Sequence, residues 1–269
     1  MQLARAVNEI NNRIFGTRIV AMSRDYQSTS SDFNTDYQLD QIDTTDSLGV
    51  IHPVASIRDY LDFNKLVLGK TAAHRIFGKR QFDIIMSLLI LVLASPVMLT
   101  IMALIWLSTY GRDPVFYRQL RVGYKGREFY VLKFRSMRVD AEKSGPQMAS
   151  VNDSRVTCIG RVIRSTRIDE LPQLLNVLKG EMSLVGPRPE RPEFVSGFQK
   201  QINGYALRHQ VKPGITGWAQ VRYPYGETVE DAANKLYYDL TYIRRSSLWL
   251  DILILMQTIP VVLTGHGAR

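Results

Sequence analysis

The 269-residue chain is 45% apolar, enough for a substantial core, and is not a disordered protein overall. Residues 1–69 hold six Lys/Arg against nine Asp/Glu, a net of −3, so the total of +9 leaves +12 for residues 70–269. A surface that basic suits nucleic acid, an anionic leaflet or phosphorylated substrates, while a single cysteine, Cys158, excludes an intramolecular disulfide and a Cys-rich zinc site.

The four histidines (His52, His74, His209, His266) are scattered without metal-ligand spacing. Met1 to Gly16 lacks the basic-then-apolar order of a signal peptide. Residues 23–47 are rich in Ser, Thr, Asp, Asn and Gln, and residues 1–69 read as a polar, largely flexible leader. Two patterned pieces within it, Arg18 to Met22 and Val54 to Phe63, could form a strand and a helix.

Residues 84–107 contain no charge, the signature of a membrane-embedded segment. Ser95-Pro96 falls at its middle, where proline removes a backbone donor and a kink is expected. Each 12-residue half would extend only ~18 Å at 1.5 Å per residue, against ~30 Å of hydrocarbon. Arg75, Lys79 and Arg80 precede the run and Arg112, Arg118 and Arg121 follow it, so the positive-inside rule puts both ends in the cytoplasm. The expectation for 70–110 is therefore a re-entrant helix-break-helix hairpin, preferred to a straight span, with the lipid bilayer as partner.

Residues 111–269 read as a cytoplasmic α/β domain, mainly α. Pro114 to Tyr117 and Glu128 to Phe134 have strand composition and flank a Gly123/Gly126 turn, predicting a small β-hairpin. Leu171, Leu174, Leu175 and Leu178 recur at helical spacing up to Gly180, predicting a helix over 170–179 with Asp169 as its N-cap. A second helix is expected over 229–245. The stretch Leu248 to Leu263, with Asp251, Gln257 and Pro260, reads as an amphipathic interfacial helix or a packed one.

The segment with most chemical content is 161–194. Two adjacent carboxylates, Asp169 and Glu170, open a helix near Arg161, Arg164 and Arg167, and a Gly-Pro-Arg-Pro turn follows. Two readings fit these residues by themselves. One is an N-cap Asp with a first-turn Glu and surface arginines. The other is a phosphate site, with helix N–H groups and arginines as donors and a carboxylate able to attack phosphorus or hold a divalent metal.

KFRSM (133–137), RIDELPQLLNVLKGEMSLVGPRPE (167–190) and VKPGITGWAQV (211–221), in this order behind an apolar Ser-Pro segment, resemble the bacterial sugar transferase family. These are polyprenyl-phosphate phosphoglycosyltransferases, monotopic membrane enzymes, and the likeness covers roughly 74–269. YPYGET, KLYYDLTYI and VVLTGHGAR resemble the longer exopolysaccharide-initiating members, which carry further segments ahead of the catalytic part. The chain then reads either as a shortened form or as a compact natural variant.

The resemblance implies that Asp169 is the nucleophile and that Glu170 works with Mg²⁺. It further implies UDP-sugar and polyprenyl phosphate as substrates, UMP as a product, and an inner-membrane enzyme with its catalytic domain on the cytoplasmic face. Arg164 and Arg188 become phosphate or nucleotide contacts, with Lys133, Arg135 and Asp239 as further candidates. Each also has a structural reading: Lys133 and Arg135 as the wet face of a strand, Asp239 as the partner of a basic residue one turn away. Trp218, in the turn expected at Gly214 to Gly217, faces either the membrane interface or the core. Two other functions stand beside the transferase: a nucleotide-sugar hydrolase, and a non-catalytic membrane-anchored scaffold of polysaccharide assembly. Nucleic-acid binding is set aside, because the arginines coincide with the phosphate motifs. The C-terminal region is open to a partner, including a homo-oligomer, and the sugar is not encoded in any motif.

Overall fold

A computed structural model describes residues 74–143, 145, 153–223, 226 and 228–264; the predicted leader, 1–69, lies outside the described residues. The first helix, α1 (His74–Ser108), is long and apolar, with a mean hydropathy of 2.7 over its best window, of which only 11% is buried. A core helix of a soluble protein would be mostly covered. Here Ile85, Val92, Leu93 and Leu99 are each about two-thirds exposed.

The expected break at Ser95-Pro96 does not interrupt the helix, which runs through Pro96. Proline cannot donate to the carbonyl four residues back, Val92 O. The Ser95 hydroxyl donates to that carbonyl at 2.8 Å, and Thr100 donates to Pro96 O at 2.8 Å, so the ladder is repaired by side chains.

Beyond α1 the chain is mostly helical with two small sheets. Strands β1 (Phe116–Val122) and β2 (Glu128–Phe134) form the expected antiparallel hairpin, with Phe116 opposite Phe134 and Tyr117 opposite Lys133. β1 runs five residues past its predicted end, up to the turn at Gly123. The connection is a tight helical turn, Tyr124–Gly126, in which Lys125 (φ 57°) and Gly126 (φ 75°) are left-handed. Then come α2 (Cys158–Ser165), capped by Thr157, and α3 (Gln173–Lys179), ended by left-handed Gly180. The buried face of α3 is Gln173, Leu174, Asn176 and Val177, and Leu175, expected in the buried stripe, is 38% exposed.

β3 (Ser183–Val185) leads into the Gly-Pro-Arg-Pro turn, α4 (Pro192–Gln201) and a helical turn at Tyr205–Gln210. The stretch expected as a turn, Gly214–Thr216, is instead a strand, β4, parallel to β3. The approach is close enough to require glycine. A Cβ on Gly214 would lie 2.1 Å from Gly186 N, and one on Gly217 2.2 Å from Gly186 O. Helix α5 (Trp218–Arg222) follows, with Trp218 packed against the core beneath the Arg222 guanidinium. The two final helices match expectation: α6 (Val229–Arg245), opened by a Thr228/Asp231 capping box, and α7 (Leu248–Thr264). α7 is two-sided, burying Leu250, Asp251 and Ile254 while Trp249, Met256 and Ile259 stay exposed.

Two apolar clusters join these elements. The larger packs β2, α3, β3, α6 and α7 around Val177, Met182, Leu236 and Ile243, and Phe82, Met86 and Ile90 of α1 lie against it. The smaller brings Ile101 and Ile105, on the far side of Pro96, onto Phe134 and Ile163. Both arms of α1 thus rest on the same globular body.

The base of α1 is also fixed by polar contacts. Lys79 Nζ donates to Asp251 at 2.7 Å and to Val185 O at 3.1 Å, and the Tyr242 hydroxyl reaches the same carboxylate at 2.8 Å. Asp83 accepts from Ser183 Oγ and Leu184 N, and Arg80 donates to the last carbonyls of α3, Val177 O and Leu178 O. Because the Asp251 side chain is 1% exposed, Lys79→Met would leave a buried charge uncompensated, at a cost of about 3 kcal/mol. Thermal melts of the full chain in lipid are expected to show a fall of several degrees, largely recovered in Lys79→Met/Asp251→Leu.

Candidate active site

Asp169 and Glu170 are both only 9% exposed, an unusual burial for adjacent carboxylates. They lie in a tight 3-10 turn, Ile168–Glu170, and not at the start of an α-helix. Asp169 is therefore not an N-cap, which corrects the sequence reading. The reason is Pro172: it cannot donate to Ile168 O, and the chain shortens to three-residue hydrogen bonds, Glu170 N to Arg167 O and Leu171 N to Ile168 O. The turn starts from Arg167 in the left-handed region (φ 55°), which points the carboxylates back into the body. α3 has seven residues and begins three positions after Glu170, so its dipole is not what balances the charge.

Side chains balance it instead. Lys133 Nζ donates to Glu170 Oε1 at 2.8 Å, and Arg188 makes a two-pronged contact, 2.6 Å to Oε1 and 3.3 Å to Oε2. Lys133 is held in register by Asn176, whose amide accepts from Leu132 N and donates to Tyr130 O, tying β2 to α3. Four predicted site residues thus meet: Lys133, Asp169, Glu170 and Arg188.

Arg164, at the end of α2, lines the same cleft and acts electrostatically on Asp169. Arg135 lies along the cleft wall, but its guanidinium donates to Pro114 O and Phe116 O and sits over the Tyr117 ring, so it closes the open end of the hairpin. Asp239 is 1% exposed and pairs with Arg208 at 2.7 Å, a cation that sequence reasoning passed over. Arg121 was also missed as a site element; it donates to Pro189 O at 2.8 Å behind Arg188. Both reach backbone carbonyls distant in sequence, which no local pattern encodes.

The two carboxylates differ electrostatically. Burial raises Asp169 to about 6, with the Glu170 charge adding to the effect and Lys133 and Arg164 opposing it. Burial acts on Glu170 in the same sense, but the charges and hydrogen bonds of Arg188 and Lys133 outweigh it and hold this carboxyl well below its ordinary range. Glu170 is thus a fixed anion, whereas the Asp169 carboxyl accepts no hydrogen bond from any described residue. The cleft above them has a volume of about 790 Å³, and Arg138, Arg155, Arg191 and Lys235 are among the cations around it. Its size suits a substantial ligand and its lining suits phosphate.

A long apolar helix joined to a basic cleft with a buried carboxylate pair defines a membrane-compatible class of protein whose cleft lining suits phosphate. Residues 74–265 match the family model described as bacterial sugar transferase, and the chain belongs to that family. It is 47% identical over 211 residues to an Aeromonas hydrophila protein named UDP-N-acetylgalactosamine-undecaprenyl-phosphate N-acetylgalactosaminephosphotransferase, covering 78% of this chain and 49% of that protein. It is 48% identical over 191 residues to the Xanthomonas campestris pv. campestris UDP-glucose:undecaprenyl-phosphate glucose-1-phosphate transferase, covering 70% and 39%. A Caulobacter vibrioides protein of the same name is 42% identical over 194 residues, 71% of each chain. The chain spans about half or less of the length of the first two relatives.

The raised Asp169 value has a consequence for stability. A carboxyl at about 6 in the fold and near 3.8 in the unfolded chain destabilises the fold above pH 6, by on the order of 3 kcal/mol, and this penalty fades as pH falls from 6 to 4. In metal-free protein, Asp169→Asn is expected to raise the melting temperature at pH 8 by several degrees, with the gain shrinking towards pH 4. A gain independent of pH would contradict this placement of the charge.

Proposed function

We propose that the protein transfers a sugar-1-phosphate from a UDP-sugar to polyprenyl phosphate, releasing UMP and forming a polyprenyl-diphosphate sugar. The observation that carries this reading is the asymmetric dyad. One carboxylate, Glu170, is fixed by two cations, and its neighbour Asp169, at the floor of a basic cleft beside an apolar helix, accepts no hydrogen bond from a described residue. The relatives' names support the two substrate classes and differ in the sugar, which this reading leaves open.

In the first displacement an Asp169 carboxylate oxygen attacks the β-phosphorus of the donor. The Asp169 O–P bond forms, the bond from β-phosphorus to the bridging oxygen breaks, and UMP departs with the electron pair. In the second, an oxygen of polyprenyl phosphate attacks the same phosphorus and the Asp169 carboxylate leaves. Asp169 must be ionised to attack, and its raised pKa makes the anion more basic than an ordinary aspartate. Arg188 and Arg164 are suited to hold phosphoryl oxygens as charge develops, and Lys133 keeps Glu170 from rotating towards the donor.

Mg²⁺ is the proposed cofactor. Among the described residues no group of three or more Asp, Glu, His or Cys gathers. Mg²⁺ does not need one, since it commonly takes one or two carboxylates and completes its shell with water and substrate phosphates. Glu170 Oε2, with its single long contact to Arg188, fits that mode. Held there, the ion would offset the negative charge of the diphosphate.

The further proposal concerns topology: α1 enters the bilayer and returns, leaving the catalytic domain on the cytoplasmic face of the inner membrane. Its support is that Met86 and Ile90 before Pro96, and Ile101 and Ile105 after it, touch the same globular body. A helix crossing the membrane would carry its far arm away from that body.

Two measurements test these readings. With polyprenyl phosphate, Mg²⁺ and a panel of UDP-sugars, wild type is expected to release UMP and retain label from a β-phosphorus-labelled donor. Asp169→Asn should lose turnover by about a thousandfold or more, and persistent UMP release would remove Asp169 as nucleophile. For topology, single cysteines at Gln81 and Arg112, both exposed, are introduced into a Cys158→Ser background. Both should escape a membrane-impermeant maleimide in intact cells and react in inside-out vesicles; labelling of either one from outside would establish a span.

A further inference from the structure

Arg188 lies between two prolines in a turn where four successive carbonyls, Pro187 to Glu190, are taken up by donors from elsewhere in the fold. Pro187 O accepts from Gly214 N at 2.9 Å, Glu190 O from Val122 N at 2.9 Å, and Pro189 O from Arg121 at 2.8 Å. The carbonyl of Arg188 itself accepts from Arg208 NH2 at 3.0 Å.

The placement of Arg208 is costly. It is 5% exposed, its pair with Asp239 is almost wholly sequestered from water, and its other terminal nitrogen donates to the Tyr205 hydroxyl. A buried ion pair rarely contributes more stability than an apolar pair of equal volume. Arg208 therefore needs another use, and its hydrogen bond to the main chain of Arg188 supplies one. The chain of contacts runs from Asp239 through Arg208 to the Arg188 carbonyl, and from the Arg188 guanidinium to Glu170.

We propose that Arg208, oriented by Asp239, is a positioning residue: by fixing the backbone of Arg188 it sets the two-pronged contact on Glu170 and so the geometry of the carboxylate pair. Asp239 then acts by holding Arg208, a different role from the substrate contact expected of it. This inference rests on the reading of Asp169 and Glu170 as the reacting pair. Arg208 also borders the cleft, so direct contact with substrate is the competing role.

The test uses the full chain in lipid nanodiscs and compares Arg208→Lys, Arg188→Ala and the double variant by UMP release. A lysine keeps the charge beside Asp239 but cannot also serve Tyr205 and the Arg188 carbonyl. Arg208→Lys is expected to lower kcat about tenfold or more, with KM for the UDP-sugar within about threefold. In the Arg188→Ala background it should cause no further loss. Additive losses, or a loss confined to KM, would overturn the proposal in favour of direct substrate contact.

Arg208→Met/Asp239→Leu separates positioning from folding. Its melting temperature should match the parent while kcat stays low, and recovery of kcat would reduce the pair to a stability element. The ¹⁵N signal of the Arg188 guanidinium in substrate-free, metal-free protein gives a readout without turnover. It should exchange slowly with solvent in wild type and rapidly in Arg208→Lys, and an unchanged signal would overturn the proposal. If wild type itself releases no UMP, the transferase reading fails and this spectroscopic comparison still decides the role of Arg208.

Discussion

Burying two adjacent carboxylates imposes a charge problem that organises much of the fold around them. Desolvation and mutual repulsion both push such groups towards protonation, and the chain answers with cations from three separate elements. Lys133 comes from β2, Arg188 from the turn after β3, and Arg164 from α2. Arg164 lies five residues before Asp169, whereas Lys133 and Arg188 reach the Ile168–Glu170 turn from 37 and 18 residues away from Glu170. The hairpin must dock on α3 through Asn176, and β3 must pair with β4 through its glycines, before the cations can converge. The tertiary structure and the electrostatics of the dyad are thus one problem.

The same elements fasten the apolar helix. Arg80 of α1 donates to the final carbonyls of α3, the helix that follows the dyad, and Lys79 donates to Val185 O, immediately before the turn that carries Arg188. Asp83 holds the next link back, the amide of Leu184. The base of α1 therefore touches the chain between the carboxylate pair and the turn that carries Arg188. Its apolar length is exposed and needs another medium to cover it. Anchor and site share a framework of short contacts.

Much of this was legible from residues alone. The hairpin, α6 and α7 follow from composition and periodicity, and the carboxylates with Lys133 and Arg188 were candidates through the resemblance of their motifs to a family. What escaped has identifiable physical causes. Pro172 turns the expected N-cap into a 3-10 turn because a missing N–H changes the register of the ladder. Arg121 and Arg208 bond to carbonyls 68 and 20 residues away, and a backbone acceptor leaves no trace in sequence. Arg135, two residues from Lys133 in the same motif, turns to the mouth of the hairpin, because the chain has passed the end of β2 and the alternation of faces no longer applies.

The division between the two carboxylates bears on which one attacks. A nucleophile must approach phosphorus freely, and Glu170 does not while Lys133 and Arg188 hold Oε1 at 2.8 and 2.6 Å. Its lowered pKa also makes it the weaker base. Asp169 accepts no hydrogen bond from a described residue, is raised to about 6 by burial, and is therefore the more basic anion once ionised. The neighbouring cations are close enough to favour that ionisation without capturing the carboxylate. Local geometry, considered apart from any family likeness, thus supports Asp169 as the attacking group and Glu170 as the fixed charge beside it. The preference follows from which carboxylate the converging cations reach.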